Sequence, residues 1–211
     1  MKNYRNILLV EGKDDLHVVC NLCKCRNVKE NFFVQDYDSI ENAVKMFDLS
    51  INEQSTKYDY VGLVVDADTN IQGRWESIKE KVSKSNKYKD IPNELPPKGL
   101  VLKPSENYSP KIGVWIMPNN NTEGMLEDFV AKLAVDNDVL MEEAEQVLNS
   151  LEKRNIQRYK TVHRAKAKIH SFLAWQDEPG KPMGQAITAK ILDPNSDKAN
   201  DFINWLEELY Q

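Results

Sequence analysis

The chain has 211 residues, 41% of them hydrophobic and 29% charged, with a formal net charge of -5 at pH 7. That length suits one α/β domain with an additional helical part, enough for a substantial core. No apolar run approaches the ~20 residues that span a bilayer, and Lys2 and Arg5 open the chain without an apolar segment behind them. The acidic balance excludes a generally basic coat for nucleic acid, and a cytoplasmic protein with no membrane partner is expected.

The first stretch with chemical content is NILLVEGKDD, residues 6–15. Residues 7–10 read as a buried strand that stops at Glu11. Gly12 permits a tight turn, and Asp14 is a natural N-cap for a helix marked by Leu16, Val19, Leu22 and Cys23. Cys20, Cys23 and Cys25 crowd this helix after His17, but one helix cannot wrap four ligands into a tetrahedron and no second pair follows at finger spacing. They read as reduced thiols.

A second short strand is expected at residues 32–34. Asp38 with Glu41 forms a capping box for a helix whose buried stripe is Ile40, Ala43, Val44 and Phe47. A polar loop over residues 50–57 leads to YVGLVVDAD, residues 60–68, again aliphatic and again ending in acid. Asp66 and Asp68 are two apart, so in extended chain they point to the same side. The order β-α-β-α-β favours a parallel sheet, in which acids at the carboxyl ends of neighbouring strands converge on one crevice.

Ile71, Trp75, Ile78 and Val82 mark a third helix. Residues 83–98 are lysine-rich, close with two prolines and read as a surface loop or flap able to move; residues 99–102 and 112–117 read as strands in a hairpin-like connection. MPNNNTEGMLED, residues 117–128, is the third place where acids follow a strand. Leu126, Phe129, Val130 and Leu133 fix its helix, with Glu123 and Glu127 four apart on another side; acids there also simply favour a helix N-terminus.

Residues 137–151 form an amphipathic helix with Val139, Leu140, Ala144, Val147 and Leu148 inward and its acids outward. Residues 153–176 reverse the balance with seven Lys and Arg and no acid. Lys160, Arg164 and Lys168 are spaced four apart as one helical stripe, with Val162, Ala165, Ile169 and Phe172 opposite; the stripe can bind phosphates, lie in solvent, or pair with the acidic helix before it. His163 and His170 are expected to be exposed. A loop at residues 177–184 precedes a last pair of helices, the final one docked by Phe202, Trp205, Leu206 and Leu209. No phosphate-binding glycine loop occurs, which argues against ATP hydrolysis by these residues.

A Glu-Gly pair after a first strand with an Asp-x-Asp after a later one resembles the Toprim domain of topoisomerases, DnaG-type primases and OLD-family nucleases. The longer run Val10-Glu-Gly-Lys-Asp-Asp15 looks closest to OLD-type and small stand-alone Toprim-like proteins, in which a further acid follows the glycine by three, as Asp15 does here. Gly124-Met-Leu-Glu-Asp128 is similar to what such proteins show after their last core strand, where a glutamate faces the metal; Glu127 is the first choice and Glu123 the second.

The resemblance covers about the first 135 residues and implies a Toprim-like, Rossmann-like α/β core over 1–135, with a helical extension, 136–211, packed on it. It implies Mg²⁺ or Mn²⁺ held by Glu11, Asp15, Asp66, Asp68 and Glu127 or Glu123, with Glu11 as an alternative general acid or base. It also implies a lysine near the scissile phosphate, Lys166 or Lys168.

The function implied is metal-dependent phosphodiester hydrolysis on nucleic acid, DNA before RNA, with Lys160, Arg164 and Lys168 as contacts. OLD-type relatives carry an ATPase in the same chain, so a separately encoded ATPase, in a phage-defence setting, is the expected partner; a homo-oligomer is compatible with the sequence. The alternatives are a non-catalytic nucleic-acid- or partner-binding Toprim module and an RNA-processing enzyme of the maturase type.

Overall fold

Three of the strands expected from aliphatic runs lie side by side and parallel in the computed structural model of the chain, which describes residues 5–52, 57–105, 107–136 and 138–211. Strands β1 (Asn6–Val10), β2 (Phe33–Asp36), β3 (Tyr60–Asp66), β4 (Leu100–Leu102) and β5 (Lys111–Met117) form one sheet in the order β2-β1-β3-β5-β4. All neighbours are parallel except β4, which pairs antiparallel with β5 as a hairpin-like connection requires. The architecture is a mixed α/β, Rossmann-like fold. Lys2, part of the 50–57 loop and the expected helix start at Asn137 lie outside the described residues.

The near-continuous aliphatic character of β1, β3 and β5 follows from burial on both faces. Ile7, Leu9, Val61, Leu63, Val65, Ile112, Val114 and Ile116 pack on one side against α2 (Ile40–Asn52) and α3 (Ile71–Lys84). Leu8, Val10, Val64, Trp115 and Met117 face the other way. There they meet α1 (Lys13–Cys25), α4 (Leu126–Ala131), α6 (Arg164–Ala174), α7 (Met183–Thr188) and α8 (Asn200–Leu209). Helix α5 (Val139–Lys153) lies further out, buried only through Ala144 and Leu148.

Local corrections come from the caps. Helix α1 is capped at Gly12, not Asp14, and α2 by Ser39, whose Oγ accepts from the Asn42 amide at 3.3 Å, while Asp38 sits at φ 60. Gly12 is extended (φ -140), so no glycine-only turn occurs there. Residues 83–98 are pinned rather than free, because Tyr88 and Leu95 are buried and the Trp75 indole donates to the Asn93 carbonyl at 3.0 Å. The three cysteines are free; burial raises the Cys23 thiol to about 12 and pushes Cys20 up as well, so neither is poised as a thiolate.

The last helix is tied to the first strand. Gly62 and Gly113 are register partners on β3 and β5, and a Cβ on either would collide with the C-terminal segment. At Gly62 it would meet the Tyr210 hydroxyl at 2.7 Å, and at Gly113 the Leu209 side chain, also at 2.7 Å. Their bare backbone makes the groove in which α8 lies. The Trp205 indole donates to the Leu100 carbonyl at 3.0 Å, and the Tyr210 hydroxyl to the Ile7 carbonyl at 2.8 Å. Gly113→Val is therefore expected to lower unfolding stability by about 1–3 kcal/mol through overpacking, with the loss read as a drop in thermal midpoint.

Candidate functional site

Strand register decides which acids meet. Val10 is level with Val64, so Glu11 leaves β1 beside the last residues of β3, and Asp66, closing β3, is level with Met117 at the end of β5. Two helices begin at this edge, and helix N-termini present unpaired amides and the positive end of the dipole. Asp66 Oδ1 accepts from the Leu126 amide, the first residue of α4, at 2.9 Å.

Both helices start with the same device, an acid three residues in that reaches back to the N-cap amide. Asp15 accepts from Gly12 at 3.1 Å and Asp128 from Met125 at 2.9 Å. Gly124 shapes the approach to α4: its φ is 133, and a Cβ would meet Asp128 Oδ2 at 2.7 Å. Reciprocal backbone bonds tie it to Asp68, at 2.9 and 2.8 Å. Glu127, next to Asp128, is turned inward and is only 3% exposed; Asp15 is 6% exposed.

The result is a cluster of carboxylates that raise one another. Burial pushes Asp66 up to about 9, with Asp15, Glu11 and Glu127 adding to the rise and the Leu126 amide opposing it. Asp15 is pushed up to about 7 by burial and then Glu11, against the Gly12 amide. Glu11 is raised by burial and then by Asp68, against the Arg74 guanidinium and the Asp66 backbone. One oxygen each of Glu11 (Oε2) and Asp15 (Oδ1) is buried without any hydrogen-bond partner.

Two cations stand at the rim. Lys166 Nζ lies 3.1 Å from Glu127 Oε1; desolvation works to lower its pKa, but Glu127, Asp66 and Asp14 outweigh it and the ammonium is held above its ordinary value. Arg74 donates from Nε to the Asp66 carbonyl at 3.0 Å and from Nη2 to Asp68 Oδ2 at 2.9 Å, clamping both ends of the Asp-x-Asp turn.

Among the described residues no group of three or more His, Cys, Asp or Glu side chains is arranged so as to hold a metal ion. The donor chemistry nonetheless fits a hard divalent cation. Every candidate ligand is oxygen, and the orphaned Glu11 and Asp15 atoms have lone pairs that nothing in the protein satisfies. Glu11, Asp15, Asp66 and Glu127 are the acids that share this edge.

The other expected residues take different positions. Asp68 does not follow Asp66 along an extended chain. Its φ is 52, and it sits at the rim, its side chain 44% exposed against Arg74. Glu123 is exposed and lies before α4 begins, so the four-residue spacing with Glu127 never becomes one helical face. The basic stripe is also broken: Lys160 caps a 3₁₀ turn (Thr161–His163), and α6 starts only at Arg164. Val162, expected inward, is exposed, as are His163 and His170.

Arg164 bonds Glu145 and Glu152 at 2.7 and 2.8 Å, and Lys168 bonds Glu145 at 2.9 Å, so both lie against α5. With Asp68, Glu123 and Gly124 they line a cleft of about 380 Å³ beside the cluster. Of the two lysine candidates, Lys166 alone touches the buried acids. Sequence reasoning missed Arg74; its one signal is an arginine in the first turn of the helix after Asp-x-Asp.

A carboxyl whose folded pKa exceeds its unfolded value contributes stability that is complete below the unfolded value and is lost as pH rises through the folded one. Asp15 and Asp66 are of this kind, with folded values of about 7 and about 9. Glu145, lowered to about 2, acts only below that window. In EDTA the thermal midpoint should fall between about pH 5 and 9, and Asp66→Asn should flatten that slope and raise the midpoint at pH 8 by ~5 °C. An unchanged slope in Asp66→Asn would mean that the cluster does not titrate as a unit.

No curated protein matches the chain. Among solved structures it is similar to the C-terminal region of the OLD protein of Xanthomonas campestris pv. campestris, with a TM-score of 0.50 and 14% identity. The match covers 100% of this chain and 97% of that one, and at such identity it speaks for the fold alone. By sequence, over residues 5–211, the chain belongs to the family described as Protein of unknown function (DUF3226).

Proposed function

We propose that this chain is a Mg²⁺- or Mn²⁺-dependent phosphodiesterase acting on nucleic acid, a Toprim-type nuclease centre working with a separately encoded ATPase. The observation that carries the reading is the cluster itself. Glu11, Asp15, Asp66 and Glu127 meet at the carboxyl ends of adjacent parallel strands, and two of them keep a buried, unsatisfied oxygen. A group of like charges that amides and two rim cations balance only in part suits a site built for a divalent cation.

Bound among those carboxylates, the ion would neutralise phosphate charge and lower the pKa of an attacking water. The protein's own groups supply the rest. Glu11, whose pKa is raised by burial and then by Asp68, is the acid placed to take or give a proton. Lys166 is half-exposed at the mouth, so its ammonium can turn from Glu127 to a phosphate oxygen without leaving the site. Arg74 fixes the Asp66–Asp68 turn.

A second reading, a non-catalytic binding module, draws on the partners these acids already have: Asp68 with Arg74, Glu127 with Lys166 and Asp66 with the Leu126 amide. Nicking of supercoiled plasmid in Mg²⁺ or Mn²⁺ separates the two. Glu11→Ala and Asp66→Ala should each slow cutting by about 100-fold or more. Lys166→Ala should slow it by about 100-fold, and Lys168→Ala far less. Equal cutting by parent and variants points to a contaminant and sinks the proposal; salt-sensitive binding without cutting selects the module, and cleavage of structured RNA but not plasmid selects the maturase-type enzyme.

A further inference from the structure

We propose that the turn joining α5 to α6, residues 153–160, is the surface along which the phosphodiester backbone of duplex DNA enters the cleft beside Asp68. The proposal rests on the phosphodiesterase reading above and names the part of the molecule that holds its substrate.

The argument is a partition of charge. Of the seven Lys and Arg in residues 153–176, three are neutralised within the protein: Arg164 by Glu145 and Glu152, Lys166 by Glu127, and Lys168 by Glu145. The other four, Lys153, Arg154, Arg158 and Lys160, are exposed and make no ion pair among the described residues. All four fall within eight consecutive residues that contain no acid. In a chain of net charge -5 this is a concentrated patch of free positive charge.

The patch is held in place. Asn155, at φ 53, turns the chain, the Ile156 amide donates to the Leu151 carbonyl at 3.1 Å, and the Tyr159 hydroxyl donates to Glu152 at 2.7 Å. The His163 amide donates back to the Lys160 carbonyl at 2.8 Å, closing the exit. The bracing holds the backbone, so a polyanion meeting the four cations has only their side chains to order.

Position links the patch to the cluster. Thr161 and Val162, directly after Lys160, line the same cleft as Asp68, Thr69 and Gly124. The cleft's own charges are largely spent: Asp68 is held by Arg74, Asp128 by the Met125 amide, and Glu145 by Arg164 and Lys168. A DNA backbone seated on residues 153–160 therefore reaches the rim of the carboxylate site over surface where most acids already have partners. Of the three cations that share a four-residue spacing, Lys160, Arg164 and Lys168, Lys160 alone lies on this turn.

The test measures duplex binding between about 50 and 200 mM salt in a Glu11→Ala background, so that cutting does not intrude. Each phosphate neutralised contributes about 0.9 to the slope of log affinity against log salt. With all four cations engaged, parent affinity should fall over that range by about 100-fold more than that of K153Q/R154Q/R158Q/K160Q.

K29Q/K45Q, two exposed cations away from residues 153–176, should keep the parent slope, and circular dichroism melts of each variant show that a lost slope is not lost folding. A quadruple variant with the parent's slope overturns the proposal, as does a parent that binds duplex RNA but not DNA. Metal-dependent nicking together with an unchanged slope removes this inference and leaves the phosphodiesterase; a changed slope without nicking removes the phosphodiesterase and leaves the DNA surface.

Discussion

Repulsion between buried carboxylates is the interaction around which the rest of the molecule is arranged. Two unit charges a few ångströms apart at an effective dielectric of ~20 repel by about 4 kcal/mol, and here four acids share one edge of a sheet. The fold holds them in three ways: amides at the starts of α1 and α4, the rim cations Arg74 and Lys166, and retained protons on Asp15 and Asp66. Among the described residues neither the amides nor the rim cations reach the buried Glu11 Oε2 and Asp15 Oδ1. A divalent ion would satisfy those oxygens and release the protons together.

Holding such a cluster requires strands that cannot slide, because a register shift of one residue would carry Glu11 to the opposite face. The C-terminal segment supplies that constraint from far along the chain. Helix α8 lies on the glycine pair Gly62 and Gly113, and the Tyr210 hydroxyl bonds to the Ile7 carbonyl on the strand that delivers Glu11. The end of the sequence is thereby part of what positions the beginning, and its tryptophan and phenylalanine rings stack in the same core as Trp115.

The strands and most helices were legible because each is a plain periodic signal with a stop. The aliphatic runs before Glu11 and Asp66 end within a residue of where the structure ends them, α8 buries the residues its spacing selects, and α3 buries Trp75, Ile78 and Val82 but leaves Ile71 partly exposed. Glu11 and Asp66 were nameable because an acid directly after a buried run stands at the crevice, whereas Asp15 and Glu127 were named by the resemblance to Toprim-like proteins and not by spacing. What spacing could not reveal is where regular geometry fails. Asp68 breaks parity because its backbone turns left-handed, Glu123 precedes its helix, and Lys160 belongs to a 3₁₀ turn. Arg74 was invisible because a guanidinium reaching back across a turn leaves no periodic trace.

The acidic net charge, which argues against nucleic acid at first sight, takes a different meaning once partners are counted. Helix α5 spends Glu145 and Glu152 on α6, so that these two acids are internal bracing rather than surface field. Such pairs are worth little stability while exposed, and more where one arginine is gripped by two carboxylates and an amide, as Arg164 is by Glu145, Glu152 and Asn149. The bracing has a consequence for recognition. By consuming Arg164 and Lys168, it leaves the unpaired cations of residues 153–176 gathered on one rigid turn next to the cleft. Whole-chain charge averages over these two populations and hides the unpaired one.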